Sequence, residues 1–390
     1  MANELRILHC LRAPVGGLFR HVLDLARAQI EAGCAVGIIA DAATGGDAAA
    51  GKLAAIEPKL ALGVTRVPMP RGLGVNDYTA LLATQSLAHR LKADVLHGHG
   101  AKGGAYARLA ARRLKLAGQD VRVVYTPHGG SLHYEPGTPQ GVLFLGLERQ
   151  LARLTDGLIF ESDYSRRIYE AKVGKPDCAV HVIPNGLLPS DFADHTPSLT
   201  ASDVLFVGEL RKLKGVDVLI DALAAIETPY PPTATIVGAG PDEAAFKAQA
   251  RALGLSERVH FAGAMPAAKA FPLGRLLVVP SRAESFPYIV LEGAAAGLPM
   301  LASNVGGIPE IMVGTETELL VPGDAQDLAR KLAAFLRDPA ALSARAAELK
   351  RRVATRFTVA GMTQEVLAFY AGLPARPAIA PRAANILPIG

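Results

Sequence analysis

The chain holds 390 residues, half of them apolar and a fifth charged, with 41 Lys and Arg against 36 Asp and Glu. At roughly 150 residues per domain, this predicts two domains with ample apolar material for a core in each. Three scattered cysteines (Cys10, Cys34, Cys178) exclude a disulfide framework, and no apolar run reaches the ~18 residues that a membrane-spanning helix needs. Few cysteines and an N-terminus without a signal-peptide pattern point to a reducing, cytoplasmic setting. The charge is uneven. Residues 1–195 carry 22 basic and 18 acidic side chains, and the remainder 19 and 18. A local basic run at Arg108, Arg112, Arg113 and Lys115 reads as a solvated helix face, or as attraction to an anionic membrane surface or acceptor.

In chain order, residues 5–11 read as a buried strand, followed by a Gly16-Gly17 turn and a helix through about Glu31. That helix carries Leu18, Phe19, Val22, Leu23, Ala26 and Ile30 on one stripe. Further strands are expected at 36–40, 94–97, 121–126, 157–161 and 180–183. Segments such as 41–76 and 129–141 read as loops. Short apolar strands alternating with helices predict a parallel sheet covered on both faces. Residues 187–202, rich in Pro, Ser, Asp and Thr, break the pattern and place the domain boundary.

The alternation then restarts, with strands expected at 204–207, 233–237, 258–261, 276–279 and 300–302. Helices fill 215–226, 241–253, 286–297, 325–337 and 338–355, with a last helix over 358–371. The expected domains are 1–190, 200–357, the final helix 358–372 crossing back to the first domain, and a mobile tail 373–390. Two doubly wound domains offer a cleft at the C-terminal edges of their strands, where open α/β sheets bind ligands.

The segment PSRAESFPYIVLEGAAAGLPMLASNVGGIPE, 280–310, is the most informative. Ser285 suits an N-cap and Pro287 a first helical turn, which puts Glu284 just before the helix and Glu292 about two turns along it. A carboxylate on an otherwise apolar helix needs hydrogen-bond partners. Sugar or ribose hydroxyls would supply them, unless a core Arg or Lys does. The free N–H groups of the first turn favour a phosphate.

VGELRKLKG, 207–215, puts Arg211, Lys212 and Lys214 in a strand-to-helix loop, where they would hold a diphosphate or make a solvated basic turn. Gly16 and Gly17 permit close approach of a ligand to the backbone. His97, His99 and His128 stand near strand ends. Their spacing lacks a metal signature, so no metal is expected, and His128 reads as a structural histidine or as a candidate substrate contact. Gly238-Ala239-Gly240 lacks the third glycine of a dinucleotide fingerprint, and no Asp-x-Asp pair offers a magnesium clamp.

Taken in order along residues 5–370, these motifs resemble glycosyltransferase family 4. The carriers are APVGGLFRHVLDLA, IPNGL at 183–187, VGAGPDEAAFKAQARALGLSERVHFAG at 237–263, the Glu284-x7-Glu292 pair, AAAGLP and GGIPE. The resemblance implies a GT-B fold of two Rossmann-like domains and a retaining, metal-independent transferase. It would move a hexose from a UDP- or GDP-sugar, with no cofactor beyond that donor, to a saccharide or lipid-linked saccharide. Exopolysaccharide or envelope glycan synthesis is the setting it suggests, with no nucleic-acid partner.

It also implies that Glu284 meets the donor sugar and Glu292 the ribose, and that the backbone around Ser285, Phe286 and Tyr288 holds the distal phosphate. Lys214 matches the family's diphosphate lysine, His128 a histidine near the reacting carbon, and Gly16 and Gly17 a close-approach turn. Two positions depart from the family pattern. Pro287 removes an N–H, and Glu209 replaces an arginine whose role would pass to Arg211 or Lys212. A sugar-nucleotide 2-epimerase of the same fold and a non-enzymatic sugar-binding protein are the alternatives.

Overall fold

The computed structural model describes residues 4–315 and 318–374; most of the expected tail lies outside them. The chain divides into two units, one of residues up to Ile183 together with those from Met362, the other Pro184–Gly361.

The first unit alternates β1 (Arg6–Leu11), α1 (Gly16–Glu31), β2 (Ala35–Asp41), α2 (Gly46–Ile56), β3 (Val64–Val67), α3 (Asn76–Arg90), β4 (Val95–His99) and α4 (Gly100–Leu116). It continues with β5 (Arg122–Thr126), α5 (Pro139–Ala152), β6 (Gly157–Phe160), α6 (Asp163–Lys172) and β7 (Ala179–Val182). The sheet order is β3-β2-β1-β4-β5-β6-β7, all parallel. The order reverses between β1 and β4, which is where doubly wound sheets bind ligands.

The segment 41–76, expected to be a loop, contains α2 and β3. The Val64–Val67 strand is only four residues long and half-buried at the sheet edge, so it lacks the apolar run that marks the inner strands.

Glycine sets how closely α4 lies on this sheet. A Cβ at Gly103 would stand 2.4 Å from the Cys10 carbonyl oxygen, and one at Gly98 would meet the Gly104 Cα at 2.6 Å. Side chains seed the neighbouring helices. The Thr138 hydroxyl accepts from the Gly141 N–H, with Pro139 at the first position of α5, and the Ser162 hydroxyl accepts from the Ser165 N–H at the start of α6.

The second unit runs β8 (Ser202–Val207), α7 (Val216–Ala224), β9 (Ala234–Val237), α8 (Glu243–Ala252), β10 (Val259–Gly263), α9 (Ala267–Ala270), β11 (Gly274–Val279) and α10 (Tyr288–Ala295). After these come β12 (Met300–Ser303), α11 (Ile308–Ile311), β13 (Leu319–Leu320), α12 (Ala325–Arg337), α13 (Pro339–Arg356) and α14 (Val359–Gly372). Its order, β10-β9-β8-β11-β12-β13, repeats the first topology, with the reversal between β8 and β11. Apolar clusters cover both faces, around Val204, Leu219 and Leu332 on one and Leu277, Leu291 and Phe357 on the other.

The unit boundary falls inside α14. Its later turns pack on the first unit, where the Tyr370 hydroxyl meets His97 Nδ1 at 2.6 Å and Arg122 donates to the Tyr370 carbonyl at 3.0 Å.

The basic run on α4 is not one solvated face. Arg108 is fully buried, pairs with Glu148 at 2.6 and 3.2 Å and lies over the Tyr125 ring. Lys115 pairs with Asp156 at 2.5 Å. Only Arg112 and Arg113 stay exposed. Helical spacing carries Arg108 onto the sheet-facing side, where a buried carboxylate must meet it.

Candidate functional site

At the reversal point of the second sheet, the loop after β8 and the loop after β11 bring Lys214 and Glu284 together. Lys214 Nζ donates to Glu284 Oε1 at 2.6 Å, and the Ser281 hydroxyl donates to the same oxygen at 2.7 Å. The carboxylate is nearly buried and the ammonium is about a quarter exposed. The contact depends on two glycines. Gly215 has φ +72°, and a Cβ there would lie 1.9 Å from the Pro280 carbonyl oxygen. Gly306 has φ +61°, and a Cβ there would lie 2.1 Å from the Glu284 carbonyl oxygen. The first closes the Lys214 loop onto the end of β11, and the second closes the 304–307 loop onto Glu284.

The sequence expectation separated these two residues into a phosphate contact and a sugar contact. The structure pairs them directly and still leaves both capable of those roles. Two ammonium donors remain, and Glu284 Oε2 has no hydrogen-bond partner among the described residues. Arg282, which carried no signal in the sequence motif, braces the lysine loop: its guanidinium holds Asp217 at 2.7 Å through both nitrogens and donates to the Lys212 carbonyl at 2.6 Å.

Three other expectations on this segment change. The helix begins at Tyr288, with Pro287 at the N-cap position and no side-chain cap, so Ser285 does not cap it. Backbone contacts hold 285–287 outside the helix instead, with Pro287 extended. The Ser285 carbonyl accepts from the Gly307 N–H at 2.7 Å, and the Phe286 carbonyl accepts from the Asn185 amide at 3.0 Å. The Phe286 and Tyr288 side chains are buried in the core, which leaves their backbone as the part a ligand could meet. Glu292 is half-buried and has a partner within the protein; the cost of an isolated buried acid does not apply to it. Among the described residues, the Arg211 side chain makes only an exposed 3.6 Å contact with Glu209, weak enough to leave its charge available.

In the first unit, the reversal point lies between the β1 loop and His99. Gly16, with φ +63°, and Gly17 open α1 and are exposed. His128, Gly129 and Gly130 follow β5 with φ of 48°, 79° and 37°. A non-glycine residue held left-handed costs roughly 1–2 kcal/mol, so surrounding bonds must fix His128. Its Nδ1 contacts Glu161, which is buried at the end of β6, and its Nε2 meets His99 Nδ1 at 3.1 Å. The chain of contacts continues from His99 Nε2 to His9 Nδ1 at 2.9 Å and from His9 Nε2 to Gln29 Oε1 at 2.8 Å. The strand register explains the gathering, because His9 pairs with His97 and Leu11 with His99. The side chains of His9, His97 and His99 therefore share one face.

Burial pushes the His9 pKa down to about 4, its Gln29 partner only partly opposing this. Burial and neighbouring imidazoles hold His97 and His99 well below the usual range. These rings are neutral at pH 7. The nitrogens of His9, His97 and His99, and of His21, His99 and His128, converge within 4.8 Å. Sequence spacing carried no sign of this metal-compatible grouping, because the strands that deliver the rings are far apart in the chain. His9, His97, His99 and His128 are already engaged with one another or with Thr126, Tyr370, Gln29 and Glu161.

His99 and His128 also form one end of a groove of about 1,000 Å³ contained in the first unit, floored by α4 and walled by α3 and α5. That is at the upper end of the roughly 300–1,000 Å³ typical of small-molecule sites. A smaller cavity of about 400 Å³ lies at the opposite, N-terminal edge of the second sheet, away from the edge where such sheets bind ligands.

Two family models match the chain, Glycosyltransferase Family 4 over residues 15–190 and Glycosyl transferases group 1 over residues 201–338. The chain belongs to the family 4 glycosyltransferases. Among its relatives, a glycogen synthase of Mycobacterium tuberculosis is 31% identical over 260 residues, a match that spans 63% of each chain. A D-inositol 3-phosphate glycosyltransferase of Corynebacterium urealyticum is 26% identical over 352 residues, 81% of this chain and 79% of its own. The solved structure of Anabaena Alr3699/HepE in complex with UDP superposes with a TM-score of 0.77 at 21% identity, over 95% of this chain and 100% of its own. That likeness establishes the shared GT-B fold. No helix among the described residues is long and apolar enough to cross a membrane.

Proposed function

We propose that the protein is a retaining glycosyltransferase that moves a hexosyl group from a nucleotide sugar to a saccharide or lipid-linked saccharide. A single observation carries this reading: Lys214 and Ser281 converge on Glu284 at the reversal point of the second sheet. A cation suited to a diphosphate thus stands beside an acceptor suited to sugar hydroxyls. Glu284 Oε2 accepts from the donor sugar, and Glu292 serves the ribose. The two free donors of Lys214, with Arg211, offset the charge that builds on the departing diphosphate. The backbone at Ser285, Phe286 and Tyr288 meets the distal phosphate at the start of α10.

In the first unit, His128, fixed by Glu161 and His99, is the polar group offered to the reacting hydroxyl, and Gly16 and Gly17 let the acceptor approach the backbone. The leaving phosphate takes the acceptor's proton on the face from which it departs, so configuration is retained. The donor half contains no carboxylate pair of the Asp-x-Asp kind, which supports a step that does not depend on a metal. Anionic membrane surfaces and exopolysaccharide or envelope glycan synthesis complete the proposal.

The UDP complex of the Anabaena protein makes uridine diphosphate sugars the first donors to try. A thermal-shift screen of UDP-, GDP- and ADP-sugars tests the reading, followed by turnover with the donor that binds. Stabilisation by one nucleotide series, abolished in Lys214→Ala, is expected. Equal stabilisation by free sugar without the nucleotide would replace this reading with sugar binding alone.

A further inference from the structure

The groove of the first unit has a composition that the donor chemistry does not use. Its floor is one face of α4, with Ala101, Ala105, Leu109 and Arg112 at intervals of three and four residues. One wall presents Phe144, Leu147, Leu151 and Leu154, and the other Tyr78 and Leu81. From Ala101 to Arg112 the floor runs about 16 Å at the α-helical rise. Apolar side chains of its lining also face solvent: Leu73 is 58% exposed, Tyr78 56% and Leu147 41%. Together these make an apolar trench open to the surface, of a kind that monomeric proteins rarely leave bare without a ligand.

The charged groups along it are mostly cations. Arg12 follows Leu11, the register partner of His99, and Arg71 precedes Gly72, whose carbonyl accepts from Lys102 in the first turn of α4, so both lie toward the end that holds His99 and His128; Arg112 stands near the other end of α4. Among the described residues, none of these three makes a hydrogen bond or an ion pair. Lys102 and Asp77 satisfy each other at 2.6 Å, and Glu148 is taken up by Arg108. The groove therefore offers uncompensated positive charge above an apolar trench. Residues 375–390 do not match that charge, since they carry Arg376 and Arg382 and no acid. A second copy of the chain would bring the same arginines against themselves.

We propose that this groove binds a single-chain anionic amphiphile as the acceptor, its phosphate between Arg12 and Arg71 and its hydrocarbon chain along α4 toward Leu109 and Leu154. The assignment rests on the transferase reading for the word acceptor, but the binding itself does not depend on it. The phosphate lies beside His128, so a sugar hydroxyl next to it reaches the polar end of the groove, and the chain leaves past Leu147 and Tyr78.

Calorimetric titration of the full chain with monomeric decyl phosphate tests this, with decanol and glycerol 3-phosphate as the two halves of the ligand. Decyl phosphate is expected to bind at least tenfold more tightly than either half. Arg71→Glu and Leu147→Glu, both at exposed positions, each weaken it at least tenfold, and Leu199→Glu on the second unit leaves it unchanged. Equal affinity for decanol and decyl phosphate, or indifference to both groove substitutions, overturns the proposal. So does pelleting with phosphatidylglycerol vesicles that depends on Arg71 and Leu147 when decyl phosphate fails to bind, because the face then reads a membrane surface. UDP-glucose thermal shifts, run in parallel, separate the two readings. Decyl phosphate binding without any nucleotide-sugar binding supports the groove and removes the transferase. Nucleotide-sugar turnover on a water-soluble saccharide without decyl phosphate binding does the reverse.

Discussion

A few side chains stand where only specific chemistry suits them. Lys214 meets a nearly buried carboxylate oxygen at 2.6 Å and keeps two donors for a ligand. Loss of one such preorganised donor costs roughly 2.7–4 kcal/mol of barrier. Lys214→Ala is therefore expected to lower kcat by about 10²–10³-fold while its thermal melting stays near wild type; a kcat within a few-fold of wild type removes this lysine from the mechanism. His128 allows a second comparison. Its φ of +48° is costly for any residue with a Cβ. His128→Ala and His128→Gly lose the same bonds to Glu161 and His99, but only the glycine also loses the strain. The glycine variant should be the more stable of the two by about 1 kcal/mol in urea denaturation. Equal stabilities would mean that the left-handed turn relaxes once the imidazole is gone.

At the level of elements, the donor half is made by loops held together at glycine rather than by helix packing. A Cβ at Gly215 meets a carbonyl oxygen at 1.9 Å in a left-handed backbone, whereas Gly118 is left-handed with nothing within 4 Å. Gly215→Ala should destabilise the second unit by about 3 kcal/mol or more, and Gly118→Ala the first by only about 1 kcal/mol, measured by chemical denaturation. Similar costs at both positions would show that the Lys214 loop can back away from β11. Pro287 illustrates the same point. The sequence signal placed it inside a helical turn, but the carbonyls of Ser285 and Phe286 are already bound by Gly307 and Asn185, so the helix starts one residue after the proline.

For the protein taken entire, the first unit stores neutral imidazoles in its core, and acid should act on it first. His9 has its pKa depressed from 6.5 to about 4, and His97 and His99 are also depressed. The unfolded chain therefore binds protons that the folded one refuses. Stability is full above about pH 6.5 and is lost as pH falls through the window down to about 4, by on the order of 3 kcal/mol for His9 alone. Melting temperatures taken from pH 7.5 to 4.5 should fall across that window and fall less in His9→Gln. A flat profile would mean that the buried rings acquire protons without cost.

Local patterning was enough to specify the two doubly wound domains, because strand and helix periods are properties of neighbouring residues. It also placed Lys214, Glu284, His128 and Gly16 at strand ends, because motif and strand boundary lie within a few residues of each other. Long-range packing had to settle that Lys214 and Glu284 touch, that Arg108 is a core residue, and that His9, His99, His128 and Glu161 form one chain of contacts. Those partners are 29 to 90 residues apart, and sheet order and register, which no local period encodes, bring them together.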